Sequence, residues 1–188
     1  MNILLINNGT IRLAELKSLL QNHKVEVIEF CTLDTINTEK FNLIILSGST
    51  PYPILGNESL YKQEIDLIKN SKKPIIGICL GFELIGYVYG AELEIMQNKE
   101  KGIVDIQTTD TNDIFKNLPN FSVYESHRWV IKKLPSDLLE LARSKDGIEV
   151  VKHKDRKLYG LQFHPEMFVE KTCGDEIFNN LLKNLAEN

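Results

Sequence analysis

KKPIIGICLGFELIGYVYG, residues 72–90, is the stretch that decides the fold. PIIGIC (74–79) is a short apolar run of β-branched residues behind a proline, which predicts a buried strand. LGFELIGYVYG (80–90) follows at once and predicts a helix. Only one charged side chain, Glu83, interrupts it, one turn beyond Cys79. A strand that passes directly into a helix needs a tight turn, and Gly77 and Gly81 permit close backbone approach there.

The same alternation extends outward. NILLI (2–6), VEVIEF (25–30) and LIILSG (43–48) predict strands. Between the first two, Thr10 is placed to cap a helix carrying Leu13, Leu16 and Leu20 on one face. Asn57 is placed to cap a second helix, reaching about residue 70, with Tyr61, Ile65 and Ile68 on one face. Strands alternating with amphipathic helices imply a parallel sheet covered by helices. The second half reads differently. IVDIQTT, FSVYESH, LLELARS, IEVVKH and LYGLQFH follow with little helix between them, then a last helix at about 174–186. The expectation is an α/β fold: a central, mostly parallel, flavodoxin-like sheet flanked by helices, with extra antiparallel strands in the second half. No linker or low-complexity tract divides residues 1–188, so one domain is expected.

Composition narrows function. The hydrophobic fraction of 43% and charged fraction of 26% are those of a soluble globular protein. A net charge of −4 argues against general affinity for nucleic acid or anionic membrane. No apolar run reaches the length of a membrane span, and the N-terminus reads as a strand rather than a signal peptide. Three sparse cysteines, Cys31, Cys79 and Cys173, lack metal-ligand spacing and suit a reducing compartment, so a cytoplasmic address is expected, with no metal and no cofactor. Cys31 reads as a small buried apolar residue, and Cys173 as a surface or packing residue.

Cys79 reads either as another packed cysteine or as a nucleophile. The turn thrusts it out at the carboxyl end of the sheet, where open α/β folds bind ligands. The amides opening the helix, from Leu80 on, favour negative charge there; they are expected to lower the thiol pKa and to hold an oxyanion. A partner base decides between the readings. It is offered by YGLQFHPE (159–166), where alternation predicts a strand with one buried face, ending at His164. Pro165 holds His164 extended, and Glu166 returns to the same side as an orienting carboxylate. Alone, His-Pro-Glu is also an ordinary turn after a strand.

Taken together these residues resemble the class I glutamine amidotransferase family. Its G-x-C-x-G-x-Q pattern is met by Gly77, Cys79 and Gly81, with Glu83 in the last place. Its H-P-E is His164-Pro165-Glu166, and its S-G-G-P loop is similar to Ser47-Gly48-Ser49 with Pro51. The resemblance implies a glutaminase: Cys79 attacks the glutamine amide, His164 moves protons, Glu166 orients His164, and the backbone amides near Gly48–Ser49 and of Leu80 form the oxyanion hole. It further implies substrate contacts from Gly48, Gly81, Glu83, Ser126 and His127. VYESHRWVIKKLP (123–135) is most similar to the detached glutaminase subunit of two-subunit GMP synthetases. The implied partner is a separate ATP-dependent synthetase that receives the ammonia.

Three departures from the family pattern keep other readings open. Ser49-Thr50 lengthens the loop before Pro51. Trp129 replaces an acid two positions after Ser126-His127, and reads either as an anchor for a different partner or as core. Glu83 replaces a glutamine. It reads as a pocket residue that repels a thiolate yet pairs with the α-ammonium of an amino acid, as a protonated mimic of the amide, or as a side chain pointing aside to a lysine or solvent. Two alternatives therefore stand beside glutaminase. One is a triad hydrolase of γ-glutamyl amides or a related small amide, needing no synthetase; the other is a catalytically weak regulatory or binding module.

Overall fold

The computed structural model describes residues 1–49, 51–116 and 118–186. Thr50, part of the lengthened loop, lies outside the described residues. Among the described residues, nine strands form one sheet in the order β2-β1-β3-β4-β9-β8-β7-β5-β6. β1 (Asn2–Asn7), β2 (Lys24–Glu29), β3 (Leu43–Leu46), β4 (Ile75–Ile78) and β9 (Leu158–Leu161) run parallel. β8 (Ile148–His153), β7 (Leu138–Arg143), β5 (Leu93–Thr108) and β6 (Asn120–Ile131) continue the same sheet antiparallel. The strand-rich second half is therefore joined to the parallel part by backbone hydrogen bonds along β9 and β8.

Alternate residues of the parallel strands face opposite sides, as the pleat requires. Ile3, Leu5, Leu43, Ile45 and Ile76 meet Leu16 and Leu20, at α1 (Leu13–Leu19) and its C-cap, and Ile177 and Phe178 of α4 (Gly174–Ala186). Leu4, Ile6, Ile44, Leu46 and Ile75 meet Ile68 of α2 (Lys62–Asn70) and Phe82, Leu84 and Ile85 of α3 (Leu80–Tyr89). Covering on both faces explains why these strands are apolar along their whole length.

Several local expectations shift. Thr10 accepts from the Arg12 amide at 3.1 Å, one turn ahead of the helix it was expected to cap. Asn57 makes no side-chain cap; a 3₁₀ turn, Glu58–Tyr61, precedes α2 instead. β5 begins ten residues before IVDIQTT, because its polar first half pairs with the end of β6. β9 stops at Leu161, and Gln162, Phe163 and His164 are as buried as the strand itself, so no open face survives. Cys31 is exposed rather than packed, in a 3₁₀ segment (Phe30–Thr35) at the surface, whereas Cys173 packs partly buried against the core.

Candidate active site

Because β1, β3, β4 and β9 are parallel, their carboxyl ends meet at one rim. Cys79 leaves β4 there with φ 51° and ψ −103°, a conformation that non-glycine residues occupy only under constraint. The constraint is visible on both sides. Its N–H donates to Leu161 O at 2.8 Å, and its carbonyl accepts from Glu83 N at 3.0 Å, opening α3. Close packing fixes the elbow. A Cβ on Gly77 would overlap the Gly81 carbonyl, and one on Gly81 would sit 2.5 Å from Leu46 O. Gly81, expected to touch substrate, thus faces the backbone of β3 and serves packing.

His164 hangs from the chain just beyond β9, its amide donating to Tyr124 O at 2.9 Å. Its Nδ1 lies 2.8 Å from Glu166 Oε1, both side chains buried. A carboxylate accepts, so Nδ1 carries the hydrogen and Nε2 is left as the basic nitrogen. Gly48 brings this pair and Cys79 together: the position of a Cβ on Gly48 is 3.3 Å from both Cys79 Cβ and His164 Cε1.

Cys79, His164, Ser49, Leu80, Glu83, Ser126 and His127 all line one cavity of about 490 Å³. The wall opposite the elbow comes from β6. Trp129 is half-buried in that wall and packs on the apolar cluster around Leu80 and Phe82. His127 has both ring nitrogens committed, Nδ1 to Trp129 O at 2.9 Å and Nε2 to Glu125 Oε2 at 2.8 Å. It therefore has no ring nitrogen left to bond a ligand in the cavity.

The electrostatics invert one expectation. Burial pushes the Cys79 thiol well above its ordinary value, and the Glu83 and Glu166 carboxyls push the same way; the Leu80 amide pulls it down without prevailing. Burial likewise lifts Glu83 to about 7, with His127 and the Gln162 amide drawing it part of the way back. Burial lowers His127, but its pairing with Glu125 and the nearby Glu83 leave it raised overall.

Glu125, His127 and Glu149 form a buried group whose ligand-type atoms lie within 4.8 Å of one another. His127 Nε2 is spent on Glu125, and Glu149 Oε1 accepts from Ser144 Oγ at 2.7 Å. Burial and then the Glu125 charge raise Glu149 well above the carboxylate range. Those features suit carboxyls sharing protons better than a metal centre. Sequence reading missed Glu125 and Glu149, although Glu125 stands two residues before His127 on the same face of a strand.

The class-I glutamine amidotransferase model matches residues 4–184. This chain belongs to that family. It is 38% identical over 157 residues to one subunit of the glutamine-hydrolyzing GMP synthase of Pyrococcus furiosus, covering 82% of this chain and 81% of the relative. Among solved structures it is similar to a putative GMP synthase subunit from Thermoplasma acidophilum, with TM-score 0.87 and 25% identity over 100% of this chain and 94% of that one. A glutamine amidotransferase of Thermotoga maritima shares the fold, with TM-score 0.84, 19% identity, and coverage of 100% and 99%. Among the described residues of this amidotransferase, no helix is long and apolar enough to cross a membrane.

Proposed function

We propose that this chain, acting as a single amidotransferase domain in the cytoplasm, hydrolyses glutamine to glutamate and ammonia and passes the ammonia to a separate synthetase, most simply that of GMP synthesis. The observation that carries the reading is the convergence of Cys79 and the His164–Glu166 pair on either side of Gly48, with Cys79 and His164 lining one cavity. The relationship to a protein named as one subunit of a glutamine-hydrolysing GMP synthase supports the choice of partner.

The geometry supports the following mechanism. Cys79 rests as a thiol, so attack and deprotonation are coupled: His164 Nε2 takes the thiol proton as Sγ bonds to the amide carbon of glutamine. The carbonyl oxygen becomes an oxyanion, held by the backbone N–H groups of Ser49 and Leu80. His164 returns the proton to the nitrogen as the C–N bond breaks, and ammonia leaves. Water then attacks the thioester, His164 takes its proton, and glutamate departs with the thiol restored. Glu166 keeps His164 in the required tautomer and supports its transient charge. Ser126, Glu83 and His127 line the part of the cavity left for the amino-acid head group, and Gly48 lets the loop approach the reacting carbon.

The test is glutamate and ammonia release by the purified protein, alone and with the candidate synthetase and its nucleotide substrates. Turnover of glutamine that rises with the partner is the expected result. Release from γ-glutamyl amides but not from glutamine, or no release under either condition, overturns it.

A further inference from the structure

Behind the Ser47–Gly48–Ser49 loop lies a buried polar cluster that no step above uses. Asn8, at the carboxyl end of β1, is 1% exposed; Ser47 and Glu64 are fully buried. Asn8 N–H donates to Ser47 Oγ at 2.9 Å, and Ser47 Oγ donates to Gly48 O at 2.9 Å. Asn8 Nδ2 donates twice, to Ser47 O at 3.1 Å and to Glu64 Oε1 at 3.0 Å.

Two successive carbonyls, those of Ser47 and Gly48, are thus both turned into this cluster. In an extended strand successive carbonyls point to opposite sides. In a trans peptide the following N–H is antiparallel to the C=O. The amides of Gly48 and Ser49 are therefore both turned away from the cluster, toward one side. Two consecutive N–H groups sharing a side form an anion-binding concavity, and Gly48 here abuts Cys79 and His164.

Glu64 matters because an asparagine amide has two ends. The Ser47 carbonyl can only accept, so it admits only the NH₂ group, whose second N–H then goes to Glu64 Oε1; a flipped amide would set its oxygen against the carbonyl. Burial holds the Glu64 carboxyl up at about 8, so at neutral pH it accepts as an uncharged acid, without placing a bare charge in the core.

We propose that Asn8, Ser47 and Glu64 are positioning residues that preset the Gly48–Ser49 loop, and with it the Ser49 oxyanion donor, before substrate arrives. This rests on the glutaminase reading, and it assigns a role in that reaction to a helix, α2, that contributes nothing to the cavity wall.

The experiment compares wild type, Glu64→Leu, Glu64→Gln and Asn8→Ala, reading kcat and KM for glutamine beside the rate of Cys79 alkylation by iodoacetamide. Alkylation displaces iodide at a saturated carbon and forms no oxyanion, so it reports thiol access alone. Glu64→Leu and Asn8→Ala are expected to lower kcat about 10- to 100-fold with KM and alkylation unchanged. Glu64→Gln keeps the acceptor oxygen and retains kcat. Unchanged kcat in Glu64→Leu, or parallel losses of kcat and alkylation, overturns the assignment. A loss in Glu64→Gln equal to that in Glu64→Leu also overturns it. Ser47→Ala, a smaller change read the same way, carries the test if Glu64→Leu does not fold. A wild type inert toward glutamine overturns the glutaminase reading and this one together, whereas normal turnover in Glu64→Leu overturns only this one.

Discussion

The parallel half of the sheet and its antiparallel extension both bury polar groups behind residues that line the cavity or abut Cys79, and the two sets differ in kind. Behind the Gly48 loop the groups are uncharged at neutral pH: backbone carbonyls, Asn8, Ser47 and the neutral acid Glu64, joined by hydrogen bonds between 2.9 and 3.1 Å. Behind β6 they are ionisable: Glu125 and Glu149 crowd His127, with Glu83 facing it across the cavity. The difference follows from chain geometry. Carboxyl ends of parallel strands present main-chain groups, whose direction is what a nucleophile and an oxyanion hole need. The antiparallel strands β6 and β8 instead turn ionisable side chains inward, Glu125 and His127 from one and Glu149 from the other. Orientation thus comes from one half, while the ionisable groups gathered around His127 belong mostly to the other.

The sharpest way to break this division is to delete the nucleophile. Cys79→Ala removes one sulfur from the parallel half and keeps the elbow backbone, which Gly77 and Gly81 fix. Glutamine turnover is expected to fall by at least about 10³-fold. The thermal unfolding midpoint should stay within about 2 °C of wild type. Surviving turnover would place the chemistry elsewhere.

Next in size is the elbow itself. Gly81→Ala puts a Cβ 2.5 Å from Leu46 O, a backbone atom of β3 with no freedom to move aside. Separating α3 from the sheet should cost about 3 kcal/mol or more, read as a lower denaturant midpoint in urea. A midpoint equal to wild type would show that the elbow is held by something other than this contact.

Those two positions were also the most legible. The β4–α3 junction is encoded locally, by an apolar run, two glycines and a cysteine within a few residues, and His164-Pro165-Glu166 is equally compact. The cluster beneath the oxyanion loop was not legible, because Asn8 meets Ser47 and Glu64 across separations of 39 and 56 residues. One signal did exist: Glu64 shares the apolar stripe of α2 with Tyr61 and Ile68, where a carboxylate needs a reason. The early half of β5 was missed because NKEKG looks like loop, and it becomes strand only through pairing with β6 beyond the irregularity between Ile95 and Glu100. The expected lowering of the Cys79 pKa failed for a related reason. Helix amides are readable from a sequence, whereas the burial and the second carboxylate that outweigh them are tertiary.

Two helices covering the parallel sheet hold carboxyls whose folded pKa is raised, to about 8 for Glu64 and about 7 for Glu83, against about 4.5 in the unfolded chain. Such groups keep their protons longer in the folded state. The stability they contribute is fully present below about pH 4.5 and is lost as pH rises through about 7 to 8. The urea midpoint should therefore fall between pH 5 and pH 9. Glu64→Gln, which has no proton to lose, should flatten that fall by an amount on the order of a few kcal/mol. A midpoint that rises with pH, or one that the variant leaves unaltered in slope, would mean these acids are ionised in the fold.

The smallest effect tests whether the two halves communicate across the cavity. Glu83 sits on α3 one turn from Cys79 and also faces His127, so it belongs to the charge system while standing beside the nucleophile. Its carboxylate raises the Cys79 thiol, after burial the largest such influence. Glu83→Gln leaves volume and burial nearly unchanged and removes only the charge. The pH profile for alkylation of Cys79 should move toward lower pH, in the free protein and without substrate. Because the carboxyl itself titrates near 7, the separation between the two profiles should be absent in mild acid, where Glu83 is protonated, and open as pH rises past neutrality. Superimposed profiles at every pH would show that Glu83 does not reach the sulfur, and that burial with Glu166 sets its resting state alone.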